Sequence, residues 1–291
     1  MNLKSGNSFK NYLSLVKFSH TVFAMPFALI GFFLAVRLTK YFLEWKTLLL
    51  IIFCMILARN AAMSFNRYID RHIDKKNDRT FFREIPLGKI RDKSALRFVI
   101  INSLLFCITT LFINKLVFFL SPIALLVILG YSYTKQFTAL CHLILGLGLS
   151  LAPIGAYLSV TGKFAIIPIL FSLIVFFWVS GFDIIYALQD EEFDINEKLK
   201  SVPAYMGKIK ALILSSILHF FSAFLVIYVG IYSKFGIIYF SGAFVFIALL
   251  IYQHIIVKPN DLSKVNMAFF TTNGIASIIF AIFTIVELYL H

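Results

Sequence analysis

The chain has 291 residues, of which 60% are hydrophobic and only 14% charged, with a mean hydropathy of +0.89. A soluble globule carries roughly 25% charged residues, so this composition excludes that class and points to a polytopic membrane protein. The net charge of +13 reads as membrane topology and not as nucleic-acid binding, because the basic residues gather in particular connecting segments.

Taken in chain order, residues 1–19 form a polar, basic tail with no cleavable leader pattern, expected to stay on the cytoplasmic side. Apolar runs long enough to cross a hydrocarbon layer of ~30 Å then recur near 20–36, 47–66, 95–113, 116–132, 139–160, 164–182, 211–231, 235–256 and 266–289. Nine spans with the N-terminus inside place the Lys- and Arg-rich segments on one face; residues 71–93 alone hold 8 of the 27 basic residues. The positive-inside rule makes that face cytoplasmic. The expectation is a single polytopic all-α domain over 1–291, with cytoplasmic cap loops at about 67–94, 133–138 and 190–210. Cys54, Cys107 and Cys141 sit inside apolar spans without metal-ligand spacing and read as structural.

The expensive residues are concentrated where the second span ends, in "RNAAMSFNRYIDRHIDKKNDR" at 59–79. Arg59, Asn66, Asp70 and Asp74 are separated by seven, four and four, which on a helix returns each to within roughly 40° of the last. The sixth span ends in the same way, with Asp183, Asp190 and Asp194 at gaps of seven and four. Basic residues, a proline (Pro86, Pro203) and the tripeptide "GKI" (88–90, 207–209) come next in both places, so the chain reads as two pseudo-repeated halves.

Carboxylates and an amide without His or Cys partners suit a hard cation such as Mg²⁺, which keeps coordination positions for water and substrate phosphate. Arg and Lys around the same point neutralise what the metal does not, so the pattern describes a diphosphate site. At a membrane surface and opening into an apolar bundle, that site calls for a charged head on a greasy tail, as in a polyprenyl diphosphate.

These residues resemble the UbiA superfamily of intramembrane aromatic prenyltransferases, whose motifs are written NDxxDxxxD and DxxxD. The chain reads "NRYIDRHID" at 66–74 and "DEEFD" at 190–194, departing from the family at Arg67. The stretches 18–33, 78–90, 130–162 and 177–194 extend the likeness to the branch described as 4-hydroxybenzoate polyprenyltransferase-like, over roughly residues 10 to 285. The resemblance implies nine transmembrane helices around a central cavity, capped on the cytoplasmic side and open laterally for the prenyl tail. It assigns Asn66, Asp70, Asp74, Asp190 and Asp194 to Mg²⁺, and Arg79, Lys135 and Lys200 to diphosphate oxygens. Arg59 falls where the family orients an acceptor carboxylate, and Asp183 where it meets the acceptor hydroxyl or the developing cation.

The expected activity is Mg²⁺-dependent transfer of a polyprenyl group to an aromatic hydroxy acid in respiratory quinone synthesis, at the inner membrane. 4-Hydroxybenzoate is the first acceptor and a dihydroxynaphthoate its competitor. A transporter is the weaker reading, because the acidic stripes end at one surface instead of at mid-bilayer. Arg83 is a weaker diphosphate candidate, Glu191 and Glu192 are assigned to solvent, and His20, His72 and His142 are set aside as ligands.

Overall fold

The computed structural model describes residues 8–16, 23–39 and 41–290; His20 and most of the basic tail lie outside them. Among the described residues the chain is helical throughout, without a named strand. A short helix, α1 (Ser8–Val16), precedes the apolar helix α2 (Met25–Leu38). The first half continues with α3 (Trp45–Ile69), the single turn α4 (Arg71–Asp74), α5 (Asp92–Leu111) and α6 (Lys115–Phe137). The rest comprises α7 (Cys141–Thr161), α8 (Ile166–Ala187), α9 (Glu191–Asn196), α10 (Val202–Tyr232), α11 (Ile237–Ile256) and α12 (Asn273–Leu290). Among the described residues, eight helical stretches have the length and apolarity to cross a membrane, and α2 is a ninth, shorter apolar helix.

Between helices of a membrane bundle there is no hydrophobic drive, so close packing of small residues and buried hydrogen bonds hold them together. Gly31 on α2 shows the first device: a Cβ there would overlap the carbonyl oxygen of Pro153 on α7, so the two backbones touch. The second device surrounds Trp178 on α8, whose indole N–H donates to Asn273 Oδ1 at 2.9 Å while Gln253 donates to the same oxygen at 2.7 Å. Asn273 in turn gives its own amide protons to the carbonyls of Ala268 and Phe269. It thereby satisfies backbone groups beside a π-helical stretch, Met267–Thr272, that re-aims Phe269 and Phe270. An aromatic core of Phe27, Phe171, Trp178, Tyr239, Phe246 and Phe280 fills the space between α2, α8, α11 and α12. Helix α6 is the least covered of the long helices.

The repeat read from the sequence has a conformational counterpart. Gly88 and Gly207, the glycines of the two "GKI" tripeptides, take φ of +70° and +79°, a left-handed region that costs other residues a steric clash. Each bends the chain away from a cap segment and into the next span. At Gly207 the bend falls inside α10, dividing a short cap helix from the membrane-crossing part.

Two connections differ from expectation. Lys135 is in the last turn of α6, not in a loop, because the helix runs two residues further to Phe137. The segment 190–210 is largely helical, holding α9 and the start of α10.

Candidate functional site

The motif-bearing ends of α3 and α8 face one another across a cavity of about 250 Å³. Arg59, Asn66, Arg67, Asp70 and Asp74 line one side, and Asp183, Tyr186 and Asp190 the other. Arg79, Arg83 and Lys135 complete the wall at the cap. A second cavity of about 340 Å³ is lined almost wholly by apolar residues of α3, α5, α6 and α7. Arg59, Tyr131, Leu145 and Leu149 belong to the walls of both.

On the first motif, the amide of Asn66 donates to Asp70 at 2.9 Å, and Arg83 pairs with Asp74 at 2.5 Å. The other Asp74 oxygen, Oδ2, is buried without a hydrogen-bond partner. Burial, and after it the charge of Asp74, pushes the Asp70 carboxyl up to about 6. On the second motif, Asp190 is held by both Arg79 and Asn77. Arg79 also donates to Tyr186 Oη at 2.7 Å and lies over its ring. Burial works against the Arg79 charge, but the bonds to Asp190 and Tyr186 outweigh it and hold the guanidinium above its ordinary value. Phe269 packs on the Tyr186 ring at a centroid distance of 4.1 Å, so the π-helical stretch sets the position of the Tyr186–Arg79–Asp190 chain.

Asp183 meets His142 Nδ1 at 2.7 Å, and the backbone N–H of Val202 points at His142 Nε2 at 3.3 Å. A nitrogen that accepts an N–H carries no proton of its own, so this arrangement assigns the proton to Nδ1, which donates to Asp183.

The sequence stripe holds on α3 and breaks on α8. All four residues of the first stripe reach the cavity, but of the second only Asp183 and Asp190 do. Leu188–Asp190 is a 3₁₀ turn, and its tighter winding rotates the residues beyond it by roughly 60° relative to an α-helix. Asp194 consequently turns inward, fully buried, and pairs with Lys135 at 2.7 Å from behind the cavity wall. Lys200 is also displaced: its side chain is exposed outside the cavity lining, and its backbone N–H donates to the Lys135 carbonyl at 2.8 Å. Glu191, assigned to solvent, pairs with Lys208 at 3.3 Å.

Oxygen-only donors at Asn66, Asp70, Asp74 and Asp190, one with a buried orphan oxygen, are the donor set of a hard divalent cation. Among the described residues no three His, Cys, Asp or Glu side chains are close enough to enclose a metal by themselves. An Mg²⁺ ion held there would take its further ligands from water and substrate phosphate.

The profile of the UbiA prenyltransferase family matches residues 24–275. The chain belongs to the UbiA prenyltransferase family. It is 28% identical over 239 residues to the 4-hydroxybenzoate octaprenyltransferase of Vesicomyosocius okutanii, covering 82% of this chain and 87% of that one. The protein of the same name from Aeromonas hydrophila is 27% identical over 235 residues, covering 81% and 82%. Among solved structures, a UbiA homologue from Aeropyrum pernix K1 superposes with a TM-score of 0.79 at 24% identity, over 93% of this chain and 97% of that one. A UbiA homologue from Archaeoglobus fulgidus bound to GPP and Mg²⁺ gives 0.75 at 23%, over 96% and 99%.

The protein is therefore a membrane-embedded prenyltransferase with the UbiA fold. Several residues of its cavity carry a sequence signal that the motif spacing alone does not pick out. Asn77 lies three residues beyond Asp74, Tyr186 lies between Asp183 and Asp190 at spacings of three and four, and Tyr131 is one turn before Lys135. Arg83, a weaker candidate on sequence, and His142, set aside there as a ligand, both hold motif carboxylates.

Proposed function

We propose that this UbiA-family enzyme transfers a polyprenyl group from polyprenyl diphosphate to an aromatic hydroxy acid, with 4-hydroxybenzoate as the first acceptor. The observation that carries the reading is the junction of the two cavities at Arg59, Tyr131, Leu145 and Leu149. A charged, oxygen-rich chamber that adjoins an apolar one suits a diphosphate head and a prenyl tail, with the allylic carbon where they meet.

Asn66, Asp70, Asp74 and Asp190 would hold Mg²⁺, which when bound supplies positive charge to the leaving diphosphate. Arg79, Arg83 and Lys135 each rest on a carboxylate of the cap. They pre-position cationic donors around the head group, so little reorganisation is needed as the allylic C–O bond breaks and its electron pair leaves with the diphosphate. Arg59, at the junction and with no side-chain hydrogen bond among the described residues, receives the acceptor carboxylate. Asp183, steadied by His142, accepts a hydrogen bond from the acceptor hydroxyl and raises the electron density of the ring. The ring carbon beside that hydroxyl then bonds to the allylic carbon and loses its proton as aromaticity returns. The cap end faces the cytoplasm in this reading, at the inner membrane of a cell making a respiratory quinone such as ubiquinone.

The test is a membrane assay with purified protein, a polyprenyl diphosphate and Mg²⁺, offering 4-hydroxybenzoate and 1,4-dihydroxy-6-naphthoate separately and weighing the products. Prenylated hydroxybenzoate that disappears with EDTA, and in Asp70→Ala and Asp190→Ala, is the expected result. Product from the naphthoate alone would keep the site and change the acceptor. No product from either would overturn the proposal.

A further inference from the structure

Every cation around the polar cavity has an acidic partner except two. Arg79 rests on Asp190, Arg83 on Asp74 and Lys135 on Asp194. Arg59 and Arg67 form no ion pair among the described residues, donate no side-chain hydrogen bond there, and have a buried Nε without a partner. Arg67 is only 4% exposed, so water does little to solvate it. A guanidinium left bare in such a place is a heavy cost to the free protein unless something else is bound there.

Two unpaired guanidiniums imply two anionic groups to be bound, and their positions separate them. Arg59 is at the junction with the apolar cavity, the level at which the proposed reaction places the acceptor. Arg67 lies two turns further toward the cap and lines only the polar cavity. Its electrostatic neighbours there are Arg83 and Asp74, then Glu84 and Tyr131. Arg83 already pairs with Asp74, and Arg67, which offsets Asp70 only at a distance, has no carboxylate within ion-pair reach among the described residues. Planar, multiply donating guanidinium groups match phosphate oxygens well.

We infer that Arg67 is a diphosphate-binding residue, supplying from the protein chain part of the positive charge at the first motif and giving the head group a metal-independent foothold. The inference rests on the polyprenyl diphosphate reading above and adds to it that binding of the head group does not depend wholly on Mg²⁺. It also gives a physical meaning to the arginine where the motif of the family has aspartate: that exchange raises the local charge by two, the charge of one divalent cation.

The experiment is calorimetric titration of the detergent-purified protein with geranyl S-thiolodiphosphate, an unreactive analogue, once in EDTA and once in Mg²⁺. The wild type is expected to bind in both, more tightly with Mg²⁺. Arg67→Gln is expected to lose at least about tenfold in affinity in EDTA, in line with loss of a charged hydrogen bond. It should retain the gain given by Mg²⁺ and bind 4-hydroxybenzoate as the wild type does. Arg67→Lys, which keeps the charge without the fork, should fall between the two. The thermal midpoint of unliganded Arg67→Gln should be no lower than that of the wild type, since the change removes an unpaired buried charge, and this separates lost binding from lost folding. Equal affinity of wild type and Arg67→Gln in EDTA overturns the inference. A variant impaired for 4-hydroxybenzoate alone overturns it in favour of an acceptor contact. Absence of thiolodiphosphate binding by the wild type in either condition overturns the underlying functional reading instead.

Discussion

Removal of the Lys135 ammonium should harm the protein far more than removal of its partner. Asp194 is fully buried, its carboxylate meets the Lys135 Nζ at 2.7 Å, and no other donor reaches it among the described residues. Lys135 is one-third exposed toward the cavity, where water or an anion can replace its partner. Two unit charges with centres ~4 Å apart attract by about 4 kcal/mol at an effective dielectric near 20. Stripping one partner from a buried pair costs about 3–5 kcal/mol, because the remaining charge has nowhere to go. The exposure of Lys135 places Lys135→Met at the lower end, about 3 kcal/mol. Asp194→Leu, leaving a cation that water can reach, should cost about 1 kcal/mol. The double variant removes both charges and should resemble Asp194→Leu, giving a coupling of about 2–3 kcal/mol.

The assay is unfolding of the four proteins by SDS in mixed micelles, monitored by the fluorescence of Trp178, which is buried in the aromatic core. Simple addition of the two single effects in the double variant would refute the reasoning. It would mean that Asp194 and Lys135 act independently, as expected if Asp194 served the metal and Lys135 the diphosphate without depending on each other.

Three other contacts lend themselves to the same treatment. His142→Gln can reproduce both bonds, its amide N–H₂ donating to Asp183 and its carbonyl accepting from Val202, so kcat should stay within a few-fold of wild type. His142→Leu leaves Asp183 without its donor and should lower kcat/KM for the aromatic acceptor by about 10–100-fold, equal to about 1–3 kcal/mol, in steady-state assays. Gly31→Ala drives a methyl into the Pro153 carbonyl and should destabilise the protein by about 1–3 kcal/mol in the SDS assay; a change below about 0.5 kcal/mol would show that α2 and α7 can part without penalty. Glu287 accepts from the backbone N–H groups of Gly236 at 2.6 Å and Tyr239 at 3.3 Å, satisfying the free donors that open α11. Glu287→Ala should cost about 1–2 kcal/mol in the same measurement.

The parts of this fold that are legible in the sequence depend on one helix at a time. Membrane-length apolar runs and the seven-and-four spacing of Arg59, Asn66, Asp70 and Asp74 need only a regular helix, and α3 supplies one as far as Ile69. The same arithmetic fails at Asp194 because three residues of 3₁₀ geometry intervene, a change of winding without a marker in "ALQDEEFD". Lys200 departs from its expected place for a related reason: its neighbourhood is set by a backbone bond to Lys135 from a distant helix. Tertiary pairing is beyond reach of spacing altogether. Nothing local in "TALCHLIL" shows that His142 bonds Asp183, and nothing local in "NRYID" shows that Arg67 is without a partner among the described residues.

The pairings also explain why the two acidic motifs are unequal. The first spends one Asp74 oxygen on Arg83 but leaves the other unbonded and Asp70 held by an amide alone among the described residues. The second commits its carboxylates to arginine and lysine, since Asp190 anchors Arg79 and Asp194 anchors Lys135. In the proposed reaction the first motif thus serves chiefly the metal, and the second chiefly aligns the cations that meet the phosphate. In that reaction a head group entering between them would give Arg59 and Arg67 the counter-charges that no described residue supplies through an ion pair, so substrate binding would complete the electrostatics of the cap.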